Sequence, residues 1–250
     1  YGLLYQWGRK DPFPAAPTLT GTTATVGAPI YDGDDNEIKI TNSSQSSTAD
    51  NNLAFAIANP TVCLSNYAQF NTSRDWLQAD MSNDALWGNP KGAERNETND
   101  FLNKGAKSFY DPCPVGWRVP PADVFRNFTA SGGYAWVIDD FDIADISGDG
   151  AKSLADYDYG WTFNLSDSAS SYFPAAARFD GSYAMLMGSM SGLWGSYWGN
   201  APYPGDVFQG GAYSVLSFQI KDTAGNEMIT TSPAGGGARA DAYSVRCIRE

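Results

Sequence analysis

The chain has no histidine. That absence removes the Ser/His/Asp and Cys/His nucleophilic arrangements, His-ligated zinc and the usual proton carrier at physiological pH. Cysteine is scarce: Cys63, Cys113 and Cys247 are too far apart in sequence for a Cys-x-x-Cys redox or metal pair. An odd count leaves room for at most one disulfide within the chain and one remaining thiol. Basic residues are few, 16 Lys and Arg against 28 Asp and Glu, giving a net charge of −12 and a pI near 4.3. Nucleic acid and an anionic membrane surface would both be repelled. The longest apolar runs span about five residues, as at 53–57, far short of the roughly 18 that a membrane span requires. The chain starts at Tyr1 without a basic-then-apolar leader, so any signal or anchor was removed or lies upstream.

Aromatic residues are abundant: eight Trp, fourteen Tyr and thirteen Phe make up 14% of 250 residues, with 42% hydrophobic and 18% charged. Such a chain can bury enough surface to offset the entropy of ordering it, and its length suits one large domain, residues 1–250, with long insertions. Residues 1–8 read as a strand that Asp11, Pro12 and Pro14 bring to an end. Short strands are expected at 18–26 and 37–41, around the turn Asp32-Gly33-Asp34-Asp35-Asn36, followed by a polar loop over 42–52. Ser73 is placed to cap a short helix carrying Trp76 and Leu77. A clearer helix starts at Pro120-Pro121-Ala122-Asp123 and runs to about residue 130, ended by Ser131-Gly132-Gly133. Strands at 213–220, 227–231 and 242–248 make the tail a β-meander, with the first strand beside the last. Five Asn-x-Ser/Thr sequons, starting at Asn42, Asn71, Asn96, Asn127 and Asn164, fit chance in a chain of this composition.

Three groups of residues invite a chemical reading. Asp145-Ile146-Ser147-Gly148-Asp149-Gly150 spaces oxygen side chains as a calcium loop does, but Asp156 stands where the bidentate Glu belongs, so a solvated acidic loop is expected and no metal site is assigned. Asp139 with Asp140, and Asp156 with Asp158, are the available carboxylate pairs for a glycosidase, yet they lie in a loop with no positional logic and read as surface. The densest aromatic and glycine cluster is Trp194, Tyr197 and Trp198 among Gly192, Gly195, Gly199 and Asn200. It reads either as core at tight turns or as an exposed recognition surface.

Four segments resemble a known family: Gly2-Leu3-Leu4-Tyr5-Gln6-Trp7-Gly8-Arg9-Lys10-Asp11-Pro12, Tyr110-Asp111-Pro112-Cys113-Pro114-Val115-Gly116-Trp117-Arg118-Val119-Pro120, Leu193-Trp194-Gly195-Ser196-Tyr197-Trp198 and Tyr243-Ser244-Val245-Arg246-Cys247. Their order is similar to that in the C-terminal region of fimbrillin-family and major paralogous domain surface proteins of Bacteroides-type bacteria. The resemblance implies an α+β, C-type lectin-like fold, related to formylglycine-generating enzymes, with a twisted antiparallel sheet and long loops. Residues 21–52 and 139–158 then stand as insertions. It also implies that Cys113 and Cys247 lie close enough to bond, leaving Cys63 as a buried thiol. The sugar-and-calcium triplets of true C-type lectins are missing, as is the reactive cysteine pair of the formylglycine enzymes.

The expectation is an extracellular, non-enzymatic domain of adhesin type, on the bacterial surface or a pilus. It recognises a glycan or protein of another cell or surface through loops in 192–237, with no catalytic residue, cofactor or direct membrane insertion. Tyr197, Trp198, Asn200, Tyr203, Phe208 and Tyr213 are the ligand-binding candidates, because aromatic rings bury large areas at small entropic cost while amides supply paired donors and acceptors. Pro202, Pro204 and the glycines at 199, 205, 210 and 211 are expected to break any strand between Trp198 and Tyr213. A sharper variant makes the chain the variable target of a diversity-generating retroelement, with 199–212 and 235–241 as altered codons. The alternative is a structural pilus or surface-protein subunit without a ligand of its own.

Overall fold

A computed structural model describes residues 2–43, 49–65, 75–77, 85–88, 105–121, 124, 128–129, 138–202, 211–220, 228–231 and 236–250. The architecture is β-rich, mostly antiparallel, with few helices and a curled, half-barrel main sheet. The first half contributes β1 (Leu3–Gln6), β2 (Phe13–Pro14), β3 (Ile30–Tyr31), β4 (Glu37–Ile38), β5 (Thr41–Ser43), the helix α1 (Ala49–Ala58), β6 (Val62–Leu64) and β7 (Trp117–Arg118). The second half contributes β8 (Gly160–Ser166), β9 (Ala169–Pro174), β10 (Phe179–Asp180), β11 (Met185–Leu186), β12 (Trp194–Pro202), β13 (Gly211–Gln219), β14 (Met228–Thr231), β15 (Gly236–Ala238), β16 (Ala242–Ser244) and β17 (Ile248–Arg249).

Nine strands form the main sheet among the described residues, in the order β11-β10-β16-β12-β13-β14, with β1 and β2 attached through β16 and β15 paired to β13. The first strand does lie beside the C-terminal one: Leu4, Tyr5 and Gln6 face Ser244, Tyr243 and Ala242 in antiparallel register. The expected strand 242–248 is divided, however. Its far end, β17, leaves the sheet and pairs with β7 through Ile248↔Arg118 and Arg249↔Trp117. At this departure Cys247 is bonded to Cys113, with Cα atoms 5.8 Å apart. Asp111 shapes the Cys113 turn, accepting from the amides of Cys113 at 2.8 Å and Val119 at 3.0 Å. Lys107 donates to the carbonyls of Cys113 at 2.6 Å and Pro114 at 2.7 Å.

Two expectations for the first half are corrected. Residues 18–26 form no strand; they run along the sheet through single bonds such as Thr22 N–H to Gly188 O at 3.0 Å. The polar segment 42–52 is not a loop throughout, because β5 ends at Ser43 and α1 starts at Ala49. Alanine, the best helix former, outweighs the Asn pair, and Asn52 is buried with its amide donating to Trp76 O at 2.7 Å. Arg9 closes the other end of the helix, its guanidinium donating to the carbonyls of Ala56, Pro60 and Val62. Ala56 belongs to the last turn of the helix, where a cation also suits the helix dipole. The turn at 32–36 joins β3 to β4 as its composition requires, with Asp32 Oδ1 accepting from the amides of Asp34 and Asn36. Ser73 and most of the helix expected near 121–130 lie outside the described residues; Val124 N–H bonds Pro121 O at 3.3 Å, and Phe128 is buried.

Three apolar clusters make the core. One joins Phe128, Phe141, Ile143, Trp161, Phe163 and Phe173 to Tyr197, Leu216 and Phe218. A second gathers Trp7, Trp76, Trp87, Trp198 and Tyr243. The third holds Phe13, Phe179 and Leu186, with Cys63 a free thiol that burial pushes up to about 12 and so keeps unreactive.

Candidate functional site

The aromatic cluster of the sequence lies inside the molecule. β12 extends from Trp194 to Pro202, through Gly199 and Asn200, is buried on both faces, and shifts register against β13 at Tyr197/Trp198 and again between Trp198 and Pro202. Consecutive strand residues point to opposite sides. Tyr197 therefore enters one core cluster and Trp198 the other, at 3% and 0% exposure. Tyr197 packs edge-on against Phe173 at 5.1 Å and donates its hydroxyl to Pro174 O at 2.8 Å; burial pushes that hydroxyl well above its usual pKa. Trp198 stacks on Tyr243 at 4.1 Å and donates to Tyr5 O at 2.7 Å. Asn200 is fully buried, its backbone N–H donating to Pro120 O at 2.8 Å. These three side chains are core and not a ligand surface. Tyr203 and Phe208 lie outside the described residues, and of Tyr213 only the β13 backbone is described.

Glycine permits β12 instead of ending it. A Cβ on Gly195 would meet the Phe218 ring at 2.3 Å, so the missing side chain is the space that its cross-strand partner fills. Gly237 on β15 leaves room in the same way for Tyr243 and Trp198. The neighbouring run Ala238 to Asp241 is buried as well, with Arg239 over the Trp7 ring at 4.5 Å and 3.2 Å from Asp75 in an enclosed ion pair. Each of these residues thus has a packing role in the fold.

The acidic loop also turns inward on itself. Asp145 accepts from the amides of Gly148 at 2.6 Å and Gly150 at 3.0 Å. Asp156, expected at the surface, is only 1% exposed and accepts from the amides of Ile146, Ser147 and Ser153. Its own loop wraps it while little else of the protein packs around it, so the amide of Ser147 foremost, with Ser153 and Ile146, holds its carboxyl below the usual range against a smaller opposing effect of burial. These carboxylates are committed to backbone donors. Asp139 and Asp140 are exposed.

Two of the cavities among the described residues are places where a ligand can sit. The smaller, about 160 Å³, lies over the start of the chain, between Lys10, Asp11, Ile57, Phe109 and Tyr110. Its cations are already engaged: Arg9 caps α1, and Lys10 lies 4.5 Å from the Phe109 ring centre. The larger, about 360 Å³, is a groove between the β8–β9 hairpin and the C-terminal segment, within the size range of small-ligand sites, roughly 300 to 1,000 Å³. Phe128 and Phe173, edge to face at 5.4 Å, contribute to its lining, as does the disulfide half Cys247; Val124, Leu165 and Ile248 line it too, with Leu165 55% exposed. Asn164, Ser171 and Arg246 supply its polar groups.

Local sequence positions these residues. Trp161, Phe163, and Phe173 across the hairpin, alternate inward along β8 and β9, with Trp161↔Phe173 and Phe163↔Ser171 in register. Alternation over 160–174 is the signal that reveals the hairpin, masked by the surrounding Ser and Asp residues. Nothing in spacing marks Arg246 as a groove residue, because it reaches the groove through the pairing of β17 with β7. Searched against protein-family models, curated proteins and solved structures, the chain matches none.

Proposed function

We propose that the chain is an extracellular binding domain of adhesin type with C-type lectin-like architecture, whose recognition site is the groove between the β8–β9 hairpin and residues 246–248. The observation that carries this reading is the groove itself: a recess of about 360 Å³ lined mainly by aromatic and aliphatic side chains with a few convergent polar groups, the usual composition of a ligand site. The pairing of β1 with β16 supports the architecture, and the Cys113–Cys247 bond supports an oxidising, extracellular setting. Recognition is favoured over hydrolysis because Asp156 of the Asp156 and Asp158 pair is committed to backbone amides and no carboxylate lines this groove among the described residues. The site therefore differs from the face of Tyr197, Trp198, Asn200, Tyr203, Phe208 and Tyr213 expected from the sequence, of which Tyr203, Phe208 and the Tyr213 side chain lie outside the described residues. The test is binding of the purified chain to glycan and surface-protein arrays, beside a Leu165→Asp variant that places a charge on the exposed rim. Saturable binding that the variant abolishes supports the proposal. Silence on both arrays, or binding indifferent to Leu165→Asp, would instead favour a structural subunit or another site.

A further inference from the structure

Resting on that reading of the groove, we infer that its ligand is a peptide carboxylate, an acidic group carried beside an aliphatic or aromatic side chain. Among the described residues Arg246 is the one charged side chain that lines the groove. Its guanidinium lies over the Phe173 ring, 4.9 Å from the centre, with Nη1 donating to Tyr172 O at 3.3 Å and Nη2 donating to Ser171 Oγ. These contacts fix its position and use two of the five N–H groups that a guanidinium offers. Arg246 forms no ion pair among the described residues, although acids outnumber bases 28 to 16 in the chain. Arg178 and Arg239, by contrast, are paired with Asp180, Asp241 and Asp75. A guanidinium held over an aromatic floor, with three N–H groups unused, suits a carboxylate better than a neutral group, since its planar fork matches two oxygens even where, as at the exposed Arg246, water screens the contact.

The rest of the lining identifies what carries that carboxylate. Val124, Phe128, Leu165, Phe173 and Ile248 are apolar. The uncharged polar side chains among the described lining are just Asn164 and Ser171, each engaged in part: Asn164 donates to Asp142 Oδ1 at 3.0 Å and Ser171 accepts from Arg246. A hydroxyl-rich sugar acid would find its hydrogen-bonding needs poorly met here, while a Leu or Phe side chain gains from covering Leu165 and Ile248.

The experiment is an NMR titration of the isotope-labelled chain with N-acetyl-Leu-Phe as the free acid, with its carboxamide, and with glucuronate. The free acid is expected to shift Leu165, Arg246 and Ile248, and the carboxamide to bind at least about tenfold more weakly, as loss of a charge-assisted contact implies. Arg246→Gln should erase that preference, and added salt should narrow it. Because Arg246 also braces β9, Leu165→Asp serves as a second variant: it leaves the Arg246 contacts intact and should repel the acid selectively. Equal binding of acid and carboxamide at these residues would keep the groove as a ligand site and overturn the carboxylate inference. Glucuronate shifting the same signals while the peptide does not would also overturn it. No shift in the groove with any probe would overturn the inference, and the array experiment would then decide the fate of the groove.

Discussion

Trp198 shows how residue type and residue role separate. Tryptophan and tyrosine among glycines are equally the composition of a recognition loop and of a central strand, and composition holds nothing to choose between them. The choice is made by neighbours far along the chain: Tyr5 accepts the indole N–H, Tyr243 stacks on the ring, and Gly237 leaves space for both. Replacing Trp198 by Ala should therefore destabilise the chain by about 3 to 5 kcal/mol, the range for a truncated core aromatic. Chemical denaturation of the purified variant measures this, and a loss under about 1 kcal/mol would mean that the ring is not core. Arg246 is the opposite case. Its Ser-Val-Arg-Cys setting was legible, but its partners on β9 were not, since they lie more than seventy residues away in sequence.

Among the elements, those announced by local chemistry were the legible ones. The Asp32 turn, β1, β13 and β14 each rest on short-range patterns of turn residues or alternating apolar side chains. β12 was hidden because Gly and Pro normally argue against a strand, and here Gly195 is required by Phe218 across the ladder. α1 was hidden because Asp50, Asn51 and Asn52 favour loops, whereas Asn52 and Arg9 satisfy tertiary contacts that no local pattern encodes. The acidic loop gives a prediction at this scale. Asp156 has its folded pKa lowered, so the stability it contributes is present above the unfolded value, near 4, and is lost as pH falls through the lower folded value. Asp156→Asn should melt below the parent at neutral pH, with the gap closing below about pH 4. Thermal melts across that range check this; a gap of constant size down to about pH 2 would show that the carboxylate charge is not what holds the loop.

At the scale of the whole molecule, the disulfide and the β7–β17 pairing bring residues 117–118 and 246–249 together across a sequence separation of 134 between the two cysteines. In the chain-entropy model, closing a loop of that length is worth about 4 to 5 kcal/mol, so Cys113→Ser with Cys247→Ser should lower stability by an amount of that order. Reductant should do the same to the parent chain and nothing further to the double variant; a parent insensitive to complete reduction would contradict this. That clamp also forms one side of the groove, so the proposed recognition depends on the closed chain. The decisive observation is where a bound peptide acid is felt. In methyl-resolved NMR spectra, N-acetyl-Leu-Phe acid should shift Leu165, Val124 and Ile248 saturably and leave Leu53 and Ile57 of the smaller cavity unmoved. Shifts confined to Leu53 and Ile57 would contradict a recognition site between the hairpin and the C-terminal segment.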